Sequence, residues 1–269
     1  MKKLVLSQFY TLRCEMKILL LIFLVMLVPG VLAALFNSGY YFFVDEDIYG
    51  FGSNMTASTI FGMNSNVIGI MAAIYVLISV TLIAGGDMND KTVNYEIMYG
   101  HSRRQVYWSR VIVSLIAGTF GGILIFLALP IAATLILGWG TSISFGVLLI
   151  RLFMLAMLFF RMTAELIFLT AVIRKAHFVY IVEVLVLLME IAAEMMFEDG
   201  NDFLFPLNAI IHILSFNQFL LPHLDETTMA VFDAAMPVST IIGVSAAYIL
   251  VAAVCLYLGS AAFERADLD

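Results

Sequence analysis

The sequence predicts an all-α integral membrane protein: six transmembrane helices preceded by an amphipathic helix at the membrane interface. Three observations lead there. Of 269 residues, 63% are apolar and only 12% charged, and the mean hydropathy is +1.04, so the chain is richer in apolar residues and poorer in charge than a soluble domain. Apolar runs of about 20 residues, the length that crosses a bilayer as a helix, recur along it. The polar connections between those runs alternate in sign, which suits two compartments.

The first 17 residues come before any span. Val5, Phe9, Leu12 and Met16 repeat at intervals of 4, 3 and 4, with Lys3, Ser7, Cys14 and Lys17 opposite. That pattern predicts an amphipathic helix lying in the interface. The charged region reaches Lys17 and no small-residue cleavage site follows the apolar run. The run is therefore read as a retained span and not as a signal peptide.

The six spans are placed at 18–36, 66–84, 111–137, 147–173, 178–197 and 238–258. A seventh apolar run, 203–221, carries Pro206, Asn208, His212, Ser215, Asn217 and Gln218. It is read as a re-entrant or interfacial helix pair within an outer region, 198–237, since irregular backbone survives at membrane depth only where protein or water covers it. Residues 1–269 then form a single transmembrane domain.

Charge supports six spans. Lys2, Lys3, Arg13, Lys17, Lys91, Arg103, Arg104, Arg110, Arg174, Lys175 and Arg265 fall on one side, and Arg151 and Arg161 lie inside a span. The other side holds Asp45, Glu46, Asp47, Glu198, Asp199, Asp202, Asp225, Glu226 and Asp233. By the positive-inside rule the chain sits in the cell membrane as a multi-pass protein with both termini cytoplasmic. The basic residues come in small groups at membrane exits, so nucleic acid is not the expected partner. Cys14 and Cys255 stand near opposite ends and form no disulfide framework.

The longest polar connection, 85–110, reads GGDMNDKTVNYEIMYGHSRRQVYWSR. Its Gly85-x-x-x-x-Asp90-Lys91-Thr92 falls one residue short of the phosphate-loop pattern. Asp90 stands where the second glycine must let backbone amides reach phosphate, and Asp87 adds another negative charge. The chain is therefore expected to carry no nucleotide site of its own. Thr92 is expected to cap a short helix through Tyr99, with Gly100 ending it in the left-handed conformation. Ser102-Arg103-Arg104-Gln105 then forms a capping box that launches the third span.

In the order of Asp87, Thr92, Gly100, Ser102, Arg103 or Arg104, Tyr107 and Arg110 between spans two and three, the chain resembles ABC-2 type permeases, the membrane subunits of ATP-binding-cassette exporters. The resemblance covers the chain from the basic amphipathic start to the tail Phe263-Glu264-Arg265-Ala266-Asp267. It departs where Lys91 replaces a frequent glycine and Arg110 a frequent lysine. It implies an ABC-2 type, type V exporter-like transmembrane domain that pairs with a second permease copy, expected to be identical. Two copies of an ABC ATPase subunit would bind the ATP and Mg. The segment with Asp87, Asp90, Lys91, Thr92, Tyr95, Glu96, Tyr99, Gly100, Arg103 and Arg104 is similar to the loop that couples to the ATPase. Relatives of this outline export peptides, bacteriocins, drugs and lipids; the acidic outer loops and the richness in Met and Phe favour an amphipathic or toxin peptide.

Charges also lie inside the spans. Glu183, Glu190 and Glu194 repeat at seven and four on one helical face, and Arg161 and Glu165 are spaced i and i+4. Arg161 and Glu190 both count to a depth of roughly 18 Å at 1.5 Å per residue. They are expected to pair, with Glu165 completing the cluster. Such a cluster serves either helix register or a polar substrate path. A proton- or ion-coupled carrier using the same acids is the alternative to an ATP-driven permease. An enzyme is not expected, because His101, His177, His212 and His223 show no metal-ligand spacing. Gly118 and Gly122 form a small-xxx-small pair suited to close helix packing.

Overall fold

Ser102 sets where the longest of the described helices begins. Its hydroxyl accepts from the Gln105 amide at 3.3 Å, and the Gln105 side chain accepts from the Ser102 amide at 3.4 Å. This reciprocal box satisfies two of the amides that a helix start leaves without a partner. The computed structural model describes residues 4–10, 12, 13, 17, 20, 21, 24, 25, 28, 56–89, 92–140, 144–197, 224, 225, 230, 231 and 238–265. Residues 4–10 form α1. The helices after it are α2 (Ala57–Asn89), α3 (Thr92–Met98), α4 (Arg103–Leu137), α5 (Phe145–Ile173), α6 (Ala176–Phe197) and α7 (Val238–Glu264). A two-residue antiparallel pair, Leu224–Asp225 with Ala230–Val231, is the one extended pairing among the described residues.

Four of these helices, α2, α4, α5 and α7, are long and apolar enough to cross a membrane. The chain is a multi-pass membrane protein. In α6 the stretch Ala176–Val186 is apolar but shorter. The first expected span, 18–36, and the expected re-entrant pair, 203–221, lie outside the described residues apart from scattered helical positions in the former.

The expected connection between spans two and three is largely helix. α2 continues to Asn89 and α4 starts at Arg103, eight residues before the apolar run at 111. Hydropathy marks where lipid begins, whereas caps mark where a helix begins. At 35 residues, α4 is about 52 Å long at 1.5 Å per residue and overreaches a hydrocarbon core of about 30 Å.

α5 is the central element. On one side Thr163 and Phe159 pack against Gly118 and Gly122 of α4, where an added Cβ would lie 2.7 Å from Phe159 Cδ2 and 2.8 Å from Val76 Cγ2 of α2. The small-residue pair is thus a three-helix crossing point. On the other side α5 meets α7, where the Ser245 hydroxyl donates to Met154 Sδ at 3.7 Å. Several hydroxyls in this apolar interior bond back to their own helix: Ser79 to Val76, Ser109 to Val106, Thr134 to Pro130 and Thr170 to Ile167. That removes a polar cost that lipid would not relieve.

The two ends of the bundle differ. At one, the Gly138 and Trp139 carbonyls accept from the amides of Ala57 and Ser58 at 3.0 and 2.8 Å, capping the start of α2. At the other, α3, the first turn of α4, the α5–α6 turn and the last turn of α7 come together. Arg174 there has φ 58° and ends α5 through its amide to the Thr170 carbonyl at 3.0 Å. Arg103, Arg104, Arg110, Arg174, Lys175 and Arg265 all belong to this basic end.

Candidate functional site

α3 ends in a complete left-handed closure. Gly100, at φ +90°, donates to the Ile97 carbonyl at 2.9 Å, and His101 donates to the Glu96 carbonyl at 3.4 Å. These two bonds are the Schellman pattern, and the positive φ is why glycine stands there. The helix stops at Met98, one residue short of the expected Tyr99, and Thr92 is its first residue instead of its cap. The Thr92 side chain, and Asp90 and Lys91 altogether, lie outside the described residues. Asp87 falls in the last turn of α2, with its side chain likewise outside.

Glu96 anchors α3 on two neighbours at once. One carboxylate oxygen meets Arg110 of α4 at 3.0 Å, and the other accepts from Gln8 of α1 at 3.0 Å. Arg110 is only 3% exposed, so its charge is held against Glu96 inside the protein. Sequence reasoning placed Glu96 in this segment but missed Gln8. Its signal was weak: a polar residue on the face of α1 that carries Leu4 and Leu12.

That face adds a protein contact to the expected interfacial helix. The apolar stripe Val5, Phe9, Leu12, Met16 was expected to lie in the interface; of the described residues here, Leu4 and Gln8 are buried, Leu12 packs on the core and Phe9 is exposed. A stripe chosen for lipid does not anticipate a second stripe chosen for protein contact. The hydrogen bond to Glu96 lies on the face that turns in.

With Glu96 and Val93 facing inward, α3 presents Tyr95, Met98 and Tyr99 outward at 61%, 80% and 85% exposure. Arg104, in the first turn of α4, is exposed as well. Arg103 is directed to α7, where its guanidinium donates to the Glu264 carbonyl at 3.1 Å and completes the end of that helix. The site is an aromatic and methionine-bearing surface on a short, braced helix.

The second candidate site lies within the bundle. Arg161 meets Glu165 at 3.6 Å, an ion-pair distance longer than a hydrogen bond, and its guanidinium lies 5.3 Å over the Tyr248 ring of α7. Arg161 and Glu183 are buried, and Cys255 stands within electrostatic reach of both and of Glu165. The expected pairing of Arg161 with Glu190 falls outside the described side chains, as does Glu194. Tyr248 was missed because an aromatic at helical spacing in an apolar run carries no sign of a cation above it.

The chain matches no protein-family model, no curated protein and no solved structure.

Proposed function

We propose that the chain is the permease subunit of an ATP-driven exporter of the ABC-2 type, in which α3 is the element that receives an ATPase subunit. The exposed Tyr95, Met98 and Tyr99 surface on a helix fixed from behind by Glu96 carries this reading. A surface that transmits force needs an apolar contact on its outer side and a rigid link to the spans on its inner side. Aromatic and methionine side chains, with arginine nearby, are the composition of protein contact surfaces.

In this reading six spans cross the cell membrane, the basic end faces the cytoplasm, and the permease pairs with a second copy. The ATPase binds ATP and Mg, and the substrate is an amphipathic peptide. Purification of the full chain from its native host tests it. Co-purifying ATPase activity that Tyr95→Asp with Tyr99→Asp removes, without loss of the permease, is the expected result. Permease that arrives without any ATPase activity refutes it.

The buried Glu183, which with Arg161 and Glu165 lies within electrostatic reach of Cys255, favours one second reading, a proton- or ion-coupled carrier. Liposomes of the purified chain that move substrate under an ion gradient without ATP would establish it.

A further inference from the structure

The outward face of α1 has a composition of its own. Leu6 and Tyr10 are 68% and 69% exposed, and Arg13 and Lys17 are exposed with them. The spacings of 4, 3 and 4 put all four on one stripe at the helical period. Leu4, Gln8 and Leu12 occupy the opposite stripe and are turned toward the protein. The outward stripe runs from apolar through aromatic to basic and contains no acid. Tyrosine and basic side chains beside an apolar surface suit the headgroup layer, and cations there are drawn to anionic lipid.

We propose that α1 binds anionic lipid headgroups through Arg13 and Lys17, and that the Gln8–Glu96 hydrogen bond couples the seating of α1 on the lipid to the seating of α3. The occupant is lipid because the helix adjoins membrane-crossing segments and because the stripe joins apolar side chains to positive charge. Each basic residue near an anionic surface shifts binding about fivefold, so the pair together shifts it about thirtyfold. Transmission follows from the shared carboxylate. One oxygen of Glu96 belongs to α1, the other to the buried Arg110, so the seating of α1 bears directly on the seating of α3. Its consequence for ATPase engagement rests on the permease reading; the lipid response of α1 and α3 does not.

Hydrogen exchange of the full chain in vesicles tests it. Vesicles of phosphatidylcholine alone are compared with an equimolar mixture of phosphatidylcholine and phosphatidylglycerol, with α5 amides as the internal standard of folding. Exchange of residues 1–17 and of α3 is expected to slow severalfold in the anionic vesicles. Arg13→Gln with Lys17→Gln removes that difference from both segments. Gln8→Met, which keeps the side chain's bulk, leaves it in residues 1–17 and removes it from α3. Equal exchange of residues 1–17 in the two vesicles overturns lipid binding and points to a protein partner for the stripe. A lipid response of α3 that persists in Gln8→Met overturns the transmission. Because no ATPase is present, neither result depends on the permease reading.

Discussion

The Tyr107 hydroxyl of α4 donates to the Leu256 carbonyl of α7 at 3.1 Å, joining two helices 149 residues apart in sequence. The Tyr107 ring also packs on Phe263, with centroids 5.7 Å apart. Gly259 makes the approach possible, since a Cβ there would strike the Tyr107 hydroxyl and lie 3.2 Å from Cζ. Together with Arg103 on the Glu264 carbonyl, this clamp fixes the last turns of α7 against the start of α4.

Tyr107→Phe loses one buried hydrogen bond and should cost about 1 kcal/mol. Gly259→Ala should cost about 1–3 kcal/mol by overpacking. The two costs should not add. Removing the hydroxyl also removes the atom that the new methyl strikes, so the double variant should be more stable than the sum of the single costs. Melting of the four proteins in one detergent measures the coupling; strict additivity would show that the contact is not made.

Glycines in these helices should respond in opposite directions. Gly122→Ala meets Phe159 and Val76 at under 3 Å and should destabilise by about 1–3 kcal/mol. Gly146→Ala and Gly243→Ala meet nothing within 4 Å and should stabilise by roughly 0.5–1 kcal/mol, the ordinary helix preference for alanine. Thermal melts that rank all three alike would remove the three-helix crossing at Gly122.

Where the sequence was legible, the governing physics was local. The Ser102 capping box, the left-handed Gly100 and the apolar runs at 66–84 and 147–173 depend on residues a few positions apart. The i, i+4 meeting of Arg161 and Glu165 is of the same kind. What was not legible depends on which side chains the fold brings together across long separations. Gln8 with Glu96 spans 88 residues, and Tyr107 with Leu256 spans 149. Arg103 looked equivalent to Arg104 in sequence, yet it caps α7 while Arg104 stays exposed. Charge reversal at Arg103 would therefore disturb the bundle as well as any docking, and Arg104 is the cleaner probe of the surface.

Glu96 should matter more to the fold than its loop position suggests. Glu96→Ala removes the carboxylate from Arg110, which is almost fully enclosed, and should cost about 2–3 kcal/mol; the value is set below that of a fully buried pair because Glu96 is one-fifth exposed. Adding Arg110→Met removes the buried cation that faces Glu96 and should recover part of the loss. A double variant no more stable than Glu96→Ala would mean that the pair contributes through Gln8 and not through charge.

Arg161 is the sterner case, because it is buried and meets Glu165 within a membrane-crossing helix. Arg161→Met takes the cation from Glu165 and from the Tyr248 ring and leaves Glu165 and Glu183 as acids in a low-dielectric interior. Yield of monodisperse protein and melting temperature should both fall. Arg161→Lys should recover only part, since an ammonium lacks the planar group that lies over Tyr248. The second-site changes then discriminate by burial. Glu183→Gln should rescue Arg161→Met better than Glu165→Gln, because Glu183 is the more enclosed acid and gains more from neutralisation. If instead the cluster acts only on substrate, Arg161→Met will melt like the wild type while transport fails, and neither glutamine will change its melting temperature.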